Sequence, residues 1–144
     1  HIHYNISHSG NYVICAFADK AVGIDIERIR TIKPEIAKRF FTKNEQAYIF
    51  NDASESYEKR FFTIWTLKES YLKALGKGLR KSLGSFSVVN DKGEFMLTEK
   101  KGETGFRCNH NLFKENYVYS ICSLDTIKRE LKKTDIHDWM ASIS

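Results

Sequence analysis

The chain has 144 residues, 42% of them hydrophobic, and a net charge of +5. That length suits a single domain with a real core, the hydrophobic content excludes a disordered chain, and no apolar run reaches membrane-spanning length. The basic balance favours anionic partners such as phosphate esters or acidic proteins without choosing among them.

In chain order, residues 4–7 read as a strand ending in a polar turn at Ser7-His8-Ser9-Gly10. Residues 12–18 and 21–26 read as two more strands joined by an Asp19-Lys20 turn. In the third, Val22, Ile24 and Ile26 point one way while Gly23, Asp25 and Glu27 point the other. One face is therefore buried, and the other carries two carboxylates about 7 Å apart. Gly23 on that face leaves room for a close approach to the backbone.

After Arg30 the period changes. Pro34 suits the first turn of a helix that residues 35–41 continue. Thr42-Lys43-Asn44-Glu45 resembles a capping box before a short helix over residues 45–50. Residues 57–75 read as a long helix. They are rich in good helix formers, Phe61, Phe62, Trp65, Leu72 and Leu75 fall on a core-facing stripe, and Gly76 closes the run. Glu69 and Lys73 stand four apart and share a face, a spacing common in solvated helix pairs. Strands follow at 85–89, 94–98, 106–109 and 117–123, with a hairpin turn at Asp91-Lys92-Gly93, and residues 136–143 read as a terminal helix. Strands, then helices, then strands describe one α+β domain.

Cys15, Cys108 and Cys122 are far apart and odd in number, which reads as free thiols in a reducing compartment. Cys15 and Cys122 lie in apolar runs, as small core residues do. With no secretory signal visible, the protein is placed in the cytoplasm, away from membranes.

Asp25, Glu27 and Glu69 form the chemical constellation. Two carboxylates on one strand face and a third from a packed helix make an oxygen-rich pocket of the kind Mg²⁺ takes, leaving other positions to water and phosphate. A metal so held neutralises charge in phosphoryl transfer, and the flanking Lys68 and Lys73 suit a leaving phosphate. His8, with the backbone amides of its turn, suits a further phosphate.

Gly23-Ile24-Asp25-Ile26-Glu27, followed by Trp65-Thr66-Leu67-Lys68-Glu69-Ser70-Tyr71-Leu72-Lys73, resembles the paired signature of the 4′-phosphopantetheinyl transferase superfamily. Asn5-Ile6-Ser7-His8-Ser9 and Phe40-Phe41-Thr42-Lys43-Asn44-Glu45 are similar to further motifs of its surfactin-synthetase-activating (Sfp) type. The resemblance implies an enzyme that moves the 4′-phosphopantetheine arm of coenzyme A to a serine hydroxyl of an apo acyl or peptidyl carrier protein, releasing adenosine 3′,5′-bisphosphate. It implies that Asp25, Glu27 and Glu69 hold Mg²⁺, or Mn²⁺ in its place, and that Glu69 deprotonates the carrier serine. Lys73 then assists departure of the bisphosphate and Lys68 supports phosphate binding. Ser7 and His8 contact the 3′-phosphate region of coenzyme A, and Glu45 has a supporting role. Phe40 and Phe41 are candidate carrier-docking residues.

The same resemblance implies two similar halves in the longer relatives. It casts residues 1–20 as the tail end of the first and residues 21–144 as the second, a small antiparallel sheet packed on a long helix. The expectation is that a first half, or self-association, supplies the remaining coenzyme A contacts across an apolar surface. Two other readings compete. A Mg²⁺-dependent nuclease needs a lysine two residues past the second acid, where this chain has Ile29, so no nucleic-acid partner is expected. A non-catalytic carrier-binding half-domain has no need of three acids and two lysines.

Overall fold

The computed structural model describes residues 1–51, 53–76, 78–91, 93–127 and 141. The predicted helix over residues 136–143 falls outside them, Ala141 excepted.

Strands β1 (His3–Ser9) and β2 (Tyr12–Ala18) pair antiparallel in full register, from His3 opposite Ala18 to Ser9 opposite Tyr12. The turn is therefore Gly10-Asn11, and the predicted turn residues Ser7, His8 and Ser9 are strand. Gly10 has φ +55°, and a Cβ there would overlap the Tyr117 hydroxyl, so glycine is required twice over.

The second sheet has five antiparallel strands in the order β3-β7-β6-β5-β4. They are β3 (Val22–Arg28), β4 (Ser87–Asp91), β5 (Glu94–Glu99), β6 (Gly102–Phe113) and β7 (Tyr117–Ser123). Strand β6 is much longer than its sequence suggested. It bulges opposite Leu97, where the register passes from Thr98–Glu103 to Met96–Arg107, and Gly105 in the bulge has φ +73°.

Three helices lie between β3 and β4 in the chain: α1 (Pro34–Phe40), α2 (Lys43–Asn51) and α3 (Tyr57–Ala74). Ser56 caps α3 by accepting from Lys59 N at 3.2 Å. At the other end Gly76, at φ +63°, donates to Lys73 O at 3.0 Å. Half of the predicted capping box is present, because Glu45 Oε2 accepts from Thr42 N at 2.8 Å. The Thr42 hydroxyl turns instead to Ser87, at 3.2 Å.

Strand β3 lies between two layers. Val22 and Ile24 pack with Ala16 of the hairpin, and Ile26 packs with Tyr117 and Tyr119. The opposite face meets α3. A Cβ on Gly23 would overlap the Ser70 carbonyl and the Ala74 amide, so the room that glycine leaves is filled by the helix itself.

As the edge strand of its sheet, β3 has a row of outward N–H groups, and β1 satisfies them through side chains. Ile24 N donates to Asn5 Oδ1 (3.0 Å), Ile26 N to Ser7 Oγ (3.1 Å) and Arg28 N to Ser9 Oγ (2.9 Å). The period-2 polar residues of Asn5-Ile6-Ser7-His8-Ser9 match the period-2 donors of the edge. The outward face of the hairpin exposes Tyr4, Ile6, Val13, Cys15 and Phe17.

The cysteines differ from expectation. Cys108 and Cys122 stand directly opposite each other on β6 and β7, with Cα atoms 4.3 Å apart, and form a disulfide. Register alone brings them together. Cys15 is free and exposed rather than in the core, because the alternation of β2 turns it outward with Val13 and Phe17.

Candidate active site

Asp25 and Glu27 lie on the α3-facing side of β3, and Lys73 and Glu69 project from α3 toward them. Lys73 Nζ donates to Asp25 Oδ1 at 2.7 Å and to Ile24 O at 3.1 Å. Asp25 is only 6% exposed, and its Oδ2 is buried with no hydrogen-bond partner. Burial pushes the Asp25 carboxyl up to about 6; Lys73 pulls it back, and the neighbouring Glu27 and Glu69 push it further. Burial also raises Glu69, with Lys73 opposing and Glu27 adding to the rise. The three acids therefore feel one another, and desolvation outweighs the one lysine that faces them. Glu27 is half-buried and pairs with Arg30 at 3.2 Å. Sequence reasoning missed Arg30; its only signal was a cation three residues past the second acid.

Among the described residues, no three His, Cys, Asp or Glu groups converge into a ready-made metal cage. The donor set still fits a hard divalent cation. It is all oxygen, it is partly desolvated, and it includes a buried carboxylate oxygen whose missing partner such an ion would supply.

Ser7 belongs to this group in a different way from that expected. Its hydroxyl donates to Asp25 Oδ1 at 3.1 Å and accepts from Ile26 N at 3.1 Å. At 6% exposure it is buried against Asp25. His8, one residue on, is exposed and turned to the opposite face of β1.

Lys68 does not join the acids. It is fully buried, donating to Glu45 Oε1 at 2.5 Å and Phe86 O at 2.7 Å, with the Phe86 ring 4.5 Å from its ammonium. Burial lowers its pKa and Glu45 raises it back. Glu45 Oε1 also accepts from Val88 N at 2.7 Å, so the pair ties α2, α3 and β4 together. Lys68, expected beside the phosphates, is thus enclosed with Glu45 and away from the three acids. The signal was present in the sequence: Lys68 falls at helical spacing on the stripe of Phe61, Trp65 and Leu72.

Phe41 is also core rather than docking surface. It is 5% exposed and its ring lies 5.1 Å from that of Phe61. Phe40 is partly buried against the same core, at 6.3 Å from Trp65 and with the Arg39 guanidinium over its ring.

Among the described residues no helix is long and apolar enough to cross a membrane. The fold resembles that of the holo-[acyl-carrier-protein] synthase of Thermotoga maritima, with a TM-score of 0.60 at 22% identity over 75% of this chain and 64% of that one. The chain is 42% identical over 124 residues to the 4′-phosphopantetheinyl transferase gsp of Aneurinibacillus migulanus, covering 85% of this chain and 52% of that protein. It is 49% identical over 86 residues to the 4′-phosphopantetheinyl transferase Sfp of Bacillus subtilis, covering 60% of this chain and 38% of that protein. The chain thus spans about half or less of the length of these relatives. The family model of the 4′-phosphopantetheinyl transferase superfamily matches residues 21–122, most of the chain and every acid of the site just described, and the protein belongs to that superfamily.

Proposed function

We propose that the protein transfers the 4′-phosphopantetheine arm of coenzyme A to a serine hydroxyl of an apo carrier protein, releasing adenosine 3′,5′-bisphosphate. The observation that carries this reading is the meeting of Asp25, Glu27 and Glu69 with Lys73 across the junction of β3 and α3. Asp25, Glu27 and Glu69 would hold Mg²⁺, which when bound neutralises the pyrophosphate and sharpens its phosphorus as an electrophile.

Glu69 takes the serine proton, and its raised proton affinity suits a general base working near neutral pH. The serine oxygen forms a bond to the phosphorus bearing pantetheine, and the bond from that phosphorus to the bridging oxygen breaks. The electron pair leaves on the bisphosphate, where Lys73, 29% exposed beside Asp25, compensates the new charge. Ser7 holds Asp25 in place throughout. His8 is the proposed contact for the 3′-phosphate of coenzyme A, reached from the other face of β1. The apolar outer face beside it supports a partner surface there, from a second copy or from a preceding half, and poor coenzyme A affinity for the isolated monomer.

The test is intact-mass measurement of an apo carrier protein incubated with this chain, coenzyme A and Mg²⁺. One phosphopantetheine per carrier, lost on chelation of the metal, is the expected result. No gain under conditions where a full-length relative is active would overturn the reading for this chain. The nuclease alternative finds no support at its key position, since Ile29 packs against the core.

A further inference from the structure

Nothing in phosphopantetheine transfer uses the two bonded sulfurs, yet their surroundings are unequal. Cys122 is fully buried on β7 against α3. Its Sγ lies 3.3 Å from the Ser70 hydroxyl, which can donate to it, and 3.8 Å from the Leu67 carbonyl. Cys108, on β6, is only partly buried and lines a cavity of about 650 Å³ between β5 and β6. That cavity sits at the β6 bulge, where Thr104, Gly105 and Phe106 stand opposite Leu97 alone and open the ladder. Its volume is in the range of small-molecule pockets, about 300–1,000 Å³. Its wall carries one exposed cation, Arg107, and two exposed acids, Glu94 and Glu103.

We propose that Cys108 is a thiol-exchange site for low-molecular-mass thiols that fit this cavity. The entering thiolate forms an S–S bond to Cys108 Sγ, and the Cys108–Cys122 bond breaks with its electron pair left on Cys122 Sγ. The proton released by the entering thiol ends on Cys122. The exchange consumes no oxidant, and the thiol is the only co-reactant. Direction follows from access: attack needs a path to one sulfur, and among the described residues Cys108 borders this cavity while Cys122 is fully buried. The Ser70 hydroxyl, which also reaches Leu67 O at 2.9 Å, turns its one proton to the departing thiolate, and once protonated the Cys122 thiol has Leu67 O as its acceptor. Both the bonded and the exchanged state therefore leave Cys122 satisfied in the core.

The experiment uses the whole chain carrying Cys15→Ser, which removes the exposed third thiol, isolated without reductant. Glutathione is added to the native protein, exchange is stopped with acid, free thiols are alkylated, and peptides are mapped by mass. The expected product carries glutathione on Cys108 and the alkyl group on Cys122, in large excess over the reverse. Glutathione chiefly on Cys122 would overturn the proposal. So would a native chain that exchanges no faster than it unfolds, or one isolated with no disulfide. A second pair of variants bypasses the cross-link: Cys122→Ser should react with glutathione disulfide in the native state, and Cys108→Ser should not.

Discussion

Lys68 and Lys73 leave the same helix five residues apart, and each meets a carboxylate, but the two pairs have opposite surroundings. The Lys68–Glu45 pair is completely enclosed, with 0% exposure on both side chains, and its oxygens and ammonium are further used by Phe86 O, Val88 N and Thr42 N. The Lys73–Asp25 pair is open on the lysine side, 29% against 8%, and leaves Asp25 Oδ2 with no partner. A fully connected buried pair is a fastening between elements. A pair with a buried oxygen left over, two more acids nearby and a lysine partly open to solvent has unspent capacity for a ligand.

The largest effect should come from the open side. Glu69→Gln is expected to lower phosphopantetheine transfer by about 10²–10⁴-fold, the usual contribution of a general base. Its melting temperature should hold, and transfer to an apo carrier read by mass checks both. Near-normal transfer would move the base elsewhere.

The enclosed side should respond in stability. Lys68→Ala leaves Glu45 charged and buried, and is expected to cost about 3–5 kcal/mol in denaturant unfolding. Lys73→Ala should cost far less stability and much more activity. If the two lysine variants behaved alike, the contrast between the pairs would collapse.

Asp25→Asn sharpens the comparison through pH. The folded carboxyl titrates at about 6 against an ordinary 3.8, so its contribution is full below about pH 4 and is lost as pH rises through 6. That loss is up to about 3 kcal/mol, each tenfold change in proton affinity being about 1.4 kcal/mol. In metal-free buffer, Asp25→Asn should therefore flatten the fall in stability between pH 4 and 6 while abolishing transfer. Melting curves across that range read it directly, and an unchanged slope would mean that Asp25 is not held as described.

The smallest effect is expected at the rim. Arg30 is 58% exposed where it meets Glu27, so Arg30→Ala should change stability by less than about 1 kcal/mol, and less still in high salt.

The three acids were legible in the sequence because two simple periods place them. Alternation along β3 puts Asp25 and Glu27 on one face, and the four-residue helical step puts Glu69 beside Lys73. The order of elements, the long helix and the last strand were readable for the same reason: each is a local pattern. The tertiary structure decided which layer each face would meet. It placed α3 over the Asp25 face and so filled the space beside Gly23. It turned Lys68 into the core, about 100° around the helix from Glu69, and made Asn5, Ser7 and Ser9 caps for the edge of β3 rather than part of a polar turn. It also set Cys108 opposite Cys122. Burial, strand register and the satisfaction of edge donors are properties of pairs of elements distant in the chain, and no local period records them.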